Sequence, residues 1–133
     1  MSGLLDANII LRYLLHSPPE QAAQAAEIID SEEELFVTDV VLAEVAYVLR
    51  SVYLVPREEV IDSLIALLGK ANLAPLGLAR ETVIQGLMLC RPSGRVSVAD
   101  GMTWAAARSY GIKAVYTFDR QFPADGLDVR VPG

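Results

Sequence analysis

Apolar residues along the chain alternate between short unbroken runs and longer stretches of helical period, a pattern that predicts strand followed by helix several times over. Gly3 to Asp6 reads as a short apolar strand, and Asn8 to Leu15 as a helix stopped by Ser17-Pro18-Pro19. Glu20 to Ile29 is alanine-rich and amphipathic. Leu35 to Thr38 is a second short strand, and Val40 to Val52 returns to helical period with Asp39 placed as its cap. Pro56 suits the first turn of a helix from Arg57 to Leu68, and Gly69 falls where helices commonly end. Ala71 to Pro75 reads as a third strand, and Glu81 to Cys90 as an apolar-faced helix before the turn Pro92-Ser93-Gly94. Val98 to Tyr110 is a further helix stopped by Gly111, Ala114 to Thr117 a buried strand, and Val129 to Val131 a short edge strand. Parallel neighbours need long crossovers that helices supply, so the predicted class is α/β: a central, mostly parallel sheet flanked by helices on both faces.

A chain of 133 residues, 53% hydrophobic and 21% charged, is expected to fold as one domain over residues 1–133. No run approaches the roughly 18 apolar residues that cross a bilayer, and no basic segment leads into a long apolar run, so a cytoplasmic protein without a membrane partner is expected. Cys90 is the only cysteine, which excludes an internal disulfide and a thiolate zinc cage. The net charge of −6 counts against broad attraction to phosphate backbones. That objection weakens if several acids converge on divalent cations, which then reverse the sign of the site. The acidic run Glu32-Glu33-Glu34 reads as a solvated turn.

Ligands of open parallel sheets bind outside the carboxyl ends of the strands. Four acids fall there: Asp6 after the first strand, Glu44 in the first turns of the helix after the second, Asp100 at the start of the penultimate helix, and Asp119 after the strand at Ala114 to Thr117. Each has a local alternative. Asp6 suits a turn, Asp119 a turn or cap, and Ser97-Val98-Ala99-Asp100 a capping box, while Glu44 would need a thin polar face within an apolar helix. Gathered at about 5 Å and an effective dielectric near 20, each pair would repel by about 3 kcal/mol, and six pairs by about 20 kcal/mol. That exceeds the roughly 5 to 15 kcal/mol net stability of a domain, so such a cluster must bind cations or hold protons. Oxygen ligands without histidine or thiolate select magnesium or manganese, and magnesium sites share ligands with substrate phosphates. Phosphodiester hydrolysis by a cation-activated water is the matching chemistry, with Asp6, Glu44, Asp100 and Asp119 as ligands or water-orienting bases.

The segment Asp6-Ala7-Asn8-Ile9-Ile10-Leu11-Arg12-Tyr13-Leu14 resembles the opening of VapC-type PIN-domain toxins. Glu44 in Thr38-Asp39-Val40-Val41-Leu42-Ala43-Glu44-Val45 is similar to the second acid of that family. Asp100 in Val98-Ala99-Asp100-Gly101 falls at the third, and Thr117-Phe118-Asp119 resembles the closing motif. The match runs through nearly the whole chain in order. It implies a PIN fold, magnesium- or manganese-dependent cleavage of RNA, a homodimer, and a small antitoxin partner that occludes the site. It also implies that Asn8 and Thr117 support the acidic cluster or bind the metal and its waters, although Asn8 alternatively caps the first helix and Thr117 closes a strand. Two positions depart from the family pattern: Ala7, where Thr or Ser is frequent, and Ser97, where an additional acid is frequent.

Arg12, four residues after Asn8, and Arg120, next to Asp119, are candidate phosphate contacts. Arg91 and Arg95 flank a turn that could rim the substrate. His16 reads as a cap or surface residue, and Trp104 and Tyr110 as core. Two other functions compete: a catalytically silent PIN-like module that binds RNA or protein, and a phosphoacceptor domain, which needs a lysine near the strand-end aspartate. The only lysines, Lys70 and Lys113, do not end strands.

Overall fold

In a computed structural model the chain forms β1 (Gly3–Leu5), α1 (Ala7–Leu15), α2 (Pro19–Ile29), β2 (Leu35–Thr38), α3 (Asp39–Ser51), α4 (Arg57–Leu68), β3 (Leu73–Leu76), α5 (Arg80–Cys90), α6 (Val98–Ser109), β4 (Ala114–Tyr116) and β5 (Asp128–Arg130). The structure describes residues 2–77, 80–90, 96 and 98–133. The turn at Pro92-Ser93-Gly94, Arg91, Arg95 and the capping position Ser97 lie outside the described residues.

The strands form one sheet in the order β3-β2-β1-β4-β5, and every neighbouring pair is parallel. The chain first builds outward from β1 to β2 and β3 through helical crossovers. It then crosses back through α5 and α6 to lay β4 on the free side of β1. The winding direction therefore reverses between β1 and β4, and such a reversal opens a crevice above the two strand ends.

Burial explains why these strands read as unbroken apolar runs. Successive strand residues face opposite sides of the sheet. Leu5 packs with Ile9, Ile10, Val41 and Val45 on one face, whereas Leu4 packs with Trp104, Ala105 and Val115 on the other. With helices over both faces, neither side of a central strand can be polar.

Local chemistry sets the element ends, and some differ from expectation. The cap of α3 is Thr38 rather than Asp39: its hydroxyl accepts from the Val41 N–H at 3.1 Å, so the helix begins one residue earlier. Asp39 instead accepts from its neighbour Val40. Likewise α1 is capped by Asp6, not Asn8. His16 closes α1 in the left-handed conformation, its N–H bonded to the Arg12 carbonyl. The third strand lies at Leu73–Leu76 instead of Ala71 to Pro75, because Asn72 is spent on the turn, where its side-chain amide donates to the Ile29, Ser31 and Glu33 carbonyls. Pro75 is tolerated because β3 is an edge strand. Trp104 is buried, but Tyr110 is half exposed and is not a core residue.

Helices α5 and α6 pack closely where glycine faces glycine, and a Cβ at Gly86 would run into the Gly101 carbonyl. Gly86→Ala should cost about 1 to 3 kcal/mol through overpacking. A lowered urea midpoint with an unchanged slope is the expected result; an unchanged midpoint would mean that the two helices have room to separate.

Candidate active site

The crevice between the ends of β1 and β4 is built on the carboxylate of Asp6. The Asp6 N–H donates to the Tyr116 carbonyl, extending the β1–β4 pairing and seating the residue at the mouth of the sheet with only 1% of its surface exposed. Its Oδ1 accepts from the Ala7 N–H at 2.8 Å, which places the negative charge at the positive end of α1. Its Oδ2 accepts from the Thr117 hydroxyl at 2.6 Å and, at 3.4 Å, from the Asn8 amide.

Thr117 and Asn8 form a clamp that orients this carboxylate. The Thr117 oxygen accepts from Asn8 Nδ2 at 2.9 Å and from the Asp119 N–H at 3.1 Å. A hydroxyl has two lone pairs and one hydrogen. With both lone pairs engaged, the hydrogen goes to Asp6 Oδ2 at 2.6 Å rather than to Asn8 Oδ1 at 3.3 Å. Asn8 Oδ1 in turn accepts from the Phe118 N–H at 2.9 Å, which fixes which way the amide points. Asp119 accepts from the Gln121 N–H, so the segment after β4 is shaped by its own side chain. The Phe118 N–H is a functional contact that side-chain patterning does not reveal. The role of Asp6 as cap of α1 was readable, since aspartate is a preferred cap and Ala7 begins a helical period.

Electrostatics link the four acids. Burial raises the Asp6 pKa from 3.8 to about 6, against the Thr117 and Ala7 hydrogen bonds, which lower it; Glu44 and Asp119 add further upward pressure. Burial also raises Glu44, half-buried in the second turn of α3, and the charge of Asp100 adds to that. Asp6, Glu44, Asp100 and Asp119 thus share one electrostatic neighbourhood. Among the described residues, however, no three His, Cys, Asp or Glu side chains stand together as a ready metal-ligand group.

The candidate cations are placed differently from each other. Arg12 is partly exposed, and its Nε is buried with no hydrogen-bond partner among the described residues. Arg120 is exposed and lines a cleft of about 350 Å³ with Glu20, Gln21, Gln24 and Phe118. A larger cleft of about 510 Å³ holds none of the four acids; Tyr13 and Lys70 in its lining both donate to Asp30, which follows α2 and precedes the amino end of β2. Lys70 is therefore engaged away from the strand-end aspartates, which removes one of the two lysines a phosphoacceptor site would draw on.

The chain belongs to the PIN-domain family, whose profile matches residues 3–125. A sequence search of curated proteins returned no significant match. Among solved structures the fold is similar to Mycobacterium tuberculosis VapC20, described as a sarcin-ricin loop cleaving toxin, with a TM-score of 0.76 and 19% identity over 95% of this chain and 96% of that one. It is also similar to VapBC2 from Rickettsia felis, solved on a DNA fragment from its promoter, with a TM-score of 0.70 and 18% identity over 100% of both chains. A third likeness is to FitAB bound to a DNA fragment, with a TM-score of 0.66 and 22% identity over 98% of this chain and 94% of that one. Among the described residues no helix is long and apolar enough to cross a membrane.

The Asp6 value yields a stability test. Because the folded-state pKa, about 6, lies above the unfolded 3.8, the folded protein binds more protons than the unfolded chain between those values. Stability is then fullest below about pH 4 and falls as pH rises through about 6. In chelator-treated protein, Asp6→Asn should raise stability at pH 7.5 by roughly 2 to 3 kcal/mol, and the gain should vanish near pH 4. Urea midpoints at the two pH values measure this, and a destabilised variant at pH 7.5 would contradict it.

Proposed function

We propose that this chain is a divalent-cation-dependent endoribonuclease and the toxin of a type II toxin–antitoxin pair. One observation carries the reading: a buried, clamped carboxylate at the switch point of a parallel sheet, electrostatically coupled to Glu44 and Asp119, with Glu44 coupled in turn to Asp100. With a pKa of about 6 that carboxylate is mostly ionised at neutral pH, and a bound cation would offset the cost of burying its charge.

The donor set fits a hard cation. All the candidate ligands are carboxylate oxygens, while His16, the one histidine, closes the far end of α1. Magnesium keeps several waters and is commonly held by one or two carboxylates, so a ready-made triple cage is not required of the metal-free protein. Asp6, Asp100 and Asp119 are the proposed ligands. When bound, the cation lowers the pKa of a water and neutralises charge developing on the phosphodiester.

The chain's own residues do the rest. Thr117 and Asn8 hold Asp6 in one orientation, and the Ala7 N–H fixes its second oxygen. Glu44, already biased toward proton uptake by burial and by Asp100, is the proposed base that accepts a proton from the attacking water. Arg12, with an unsatisfied Nε, is the proposed phosphate contact on α1.

The toxin reading draws on the named relatives, a cleaving toxin and two complexes solved on DNA. A homodimer and a small antitoxin partner complete the proposal. The rival is a silent PIN module, favoured by the absence of a three-acid group among the described residues.

Cleavage of single-stranded and structured RNAs with manganese separates the two. Cleavage is expected with manganese and not with chelator. Asp6→Asn and Asp100→Asn should each abolish it, and Asn8→Ala, one step removed, should reduce it about 10- to 100-fold. Activity surviving in both aspartate variants would expose a contaminating nuclease and leave the silent module. Expression should also arrest growth, and Asp6→Ala should relieve the arrest.

A further inference from the structure

The polar cleft beside the acids has a composition that the proposed hydrolysis does not use. The turn that follows β4 contributes side chains to two places. Thr117 and Asp119 belong to the acidic crevice, whereas Phe118 and Arg120 line the cleft against Glu20, Gln21 and Gln24 of α2. The two sites therefore share one short segment. A chain held by the acids would pass beside the cleft.

The lining suits a nucleobase better than a phosphate. Gln21 and Gln24, three residues apart on one helix face, carry amides that both donate and accept, the property needed to bond the edge of a base; Val131, Pro132 and Gly133 complete the lining, with Gly133 lying against the Gln24 amide. The carboxylate of Glu20 accepts from an exocyclic amine and repels a phosphate. Arg120 is the one cation in the lining and stands exposed, where a backbone phosphate would pass. Phe118 is half-buried, its ring packed on the core below β1, which makes it a fixed rather than a mobile wall. Single-stranded RNA is read through such splayed-out bases.

Resting on the ribonuclease reading, we infer that the cleft formed by Glu20, Gln21, Gln24, Phe118 and Arg120 holds one unpaired base adjacent to the scissile phosphate and sets the nucleotide preference at that position. A chain with net charge −6 gains little from general attraction to the backbone, so local readout carries more of its selectivity.

The test compares wild type with the double variant Gln21→Ala, Gln24→Ala, which keeps good helix formers on α2. Cleavage products from a randomised single-stranded RNA pool are sequenced with manganese present. The expected result is a preference at one position flanking the cut that flattens in the variant by about 5- to 100-fold, with cutting retained. An unchanged profile from an active wild type overturns the cleft and leaves the ribonuclease standing. In parallel, fluorescence anisotropy measures binding of short RNAs of defined sequence to Asp6→Asn protein with and without the glutamine changes. If wild type cuts nothing but base-selective binding depends on the glutamines, the nuclease reading fails and the cleft survives. If binding is indifferent to them, the cleft fails whatever the cleavage assay gives.

Discussion

Asp6 is buried where β1 and β4 lie side by side, and loss of solvent, hydrogen-bond donors and two other acids act on its charge, with no basic side chain among the described residues that do so. The rest of the architecture follows from keeping a carboxylate in that position. The strand on either side of it must be apolar on both faces, so helices cover both. The helix that begins at Ala7 must point its amino end at the charge. The segment after β4 must bring a hydroxyl and two backbone N–H groups to within hydrogen-bonding reach of the same few atoms. A site assembled this way is costly to the folded state without its counter-charge, which is the usual relation between preorganised function and stability.

Much of the fold was legible because it rests on periodicity. The apolar runs at Leu4, Leu5, Val37 and Val115 announce strands buried on both sides, and the parallel sheet follows from the helices between them. The strand order was not legible. Which side of β1 receives β4 depends on how α5 and α6 cross the sheet, and no residue type encodes that. Element ends were read least well where two polar residues compete for one role, as Thr38 and Asp39 did at α3 and Asp6 and Asn8 at α1. In each case the residue nearer the strand took the cap, because its backbone was already extended. Tyr110 was misjudged because a helix of 3.6-residue period ends just before it, leaving its ring half in solvent.

The four acids could be nominated from sequence by their places at strand ends, but their coupling could not. Asp6 feels Glu44 and Asp119, while Glu44 feels Asp100. Those relations join residues from four different elements and depend on distances fixed only by the sheet. The clamp of Asn8 on Thr117 and on the Phe118 backbone is of the same kind: a hydrogen-bond geometry, invisible to composition.

The central strand is made well before its partner β4, which lies more than a hundred residues later, and the Thr117 to Asp6 bond spans 111 positions. Closing so long a loop is among the slower steps of folding. During synthesis, then, the amino-terminal half can gather its helices around β1 and β2 while the crevice above them has only one wall. The carboxylate acquires its orientation only once Thr117 has emerged, so a chain released before that point carries an unclamped Asp6.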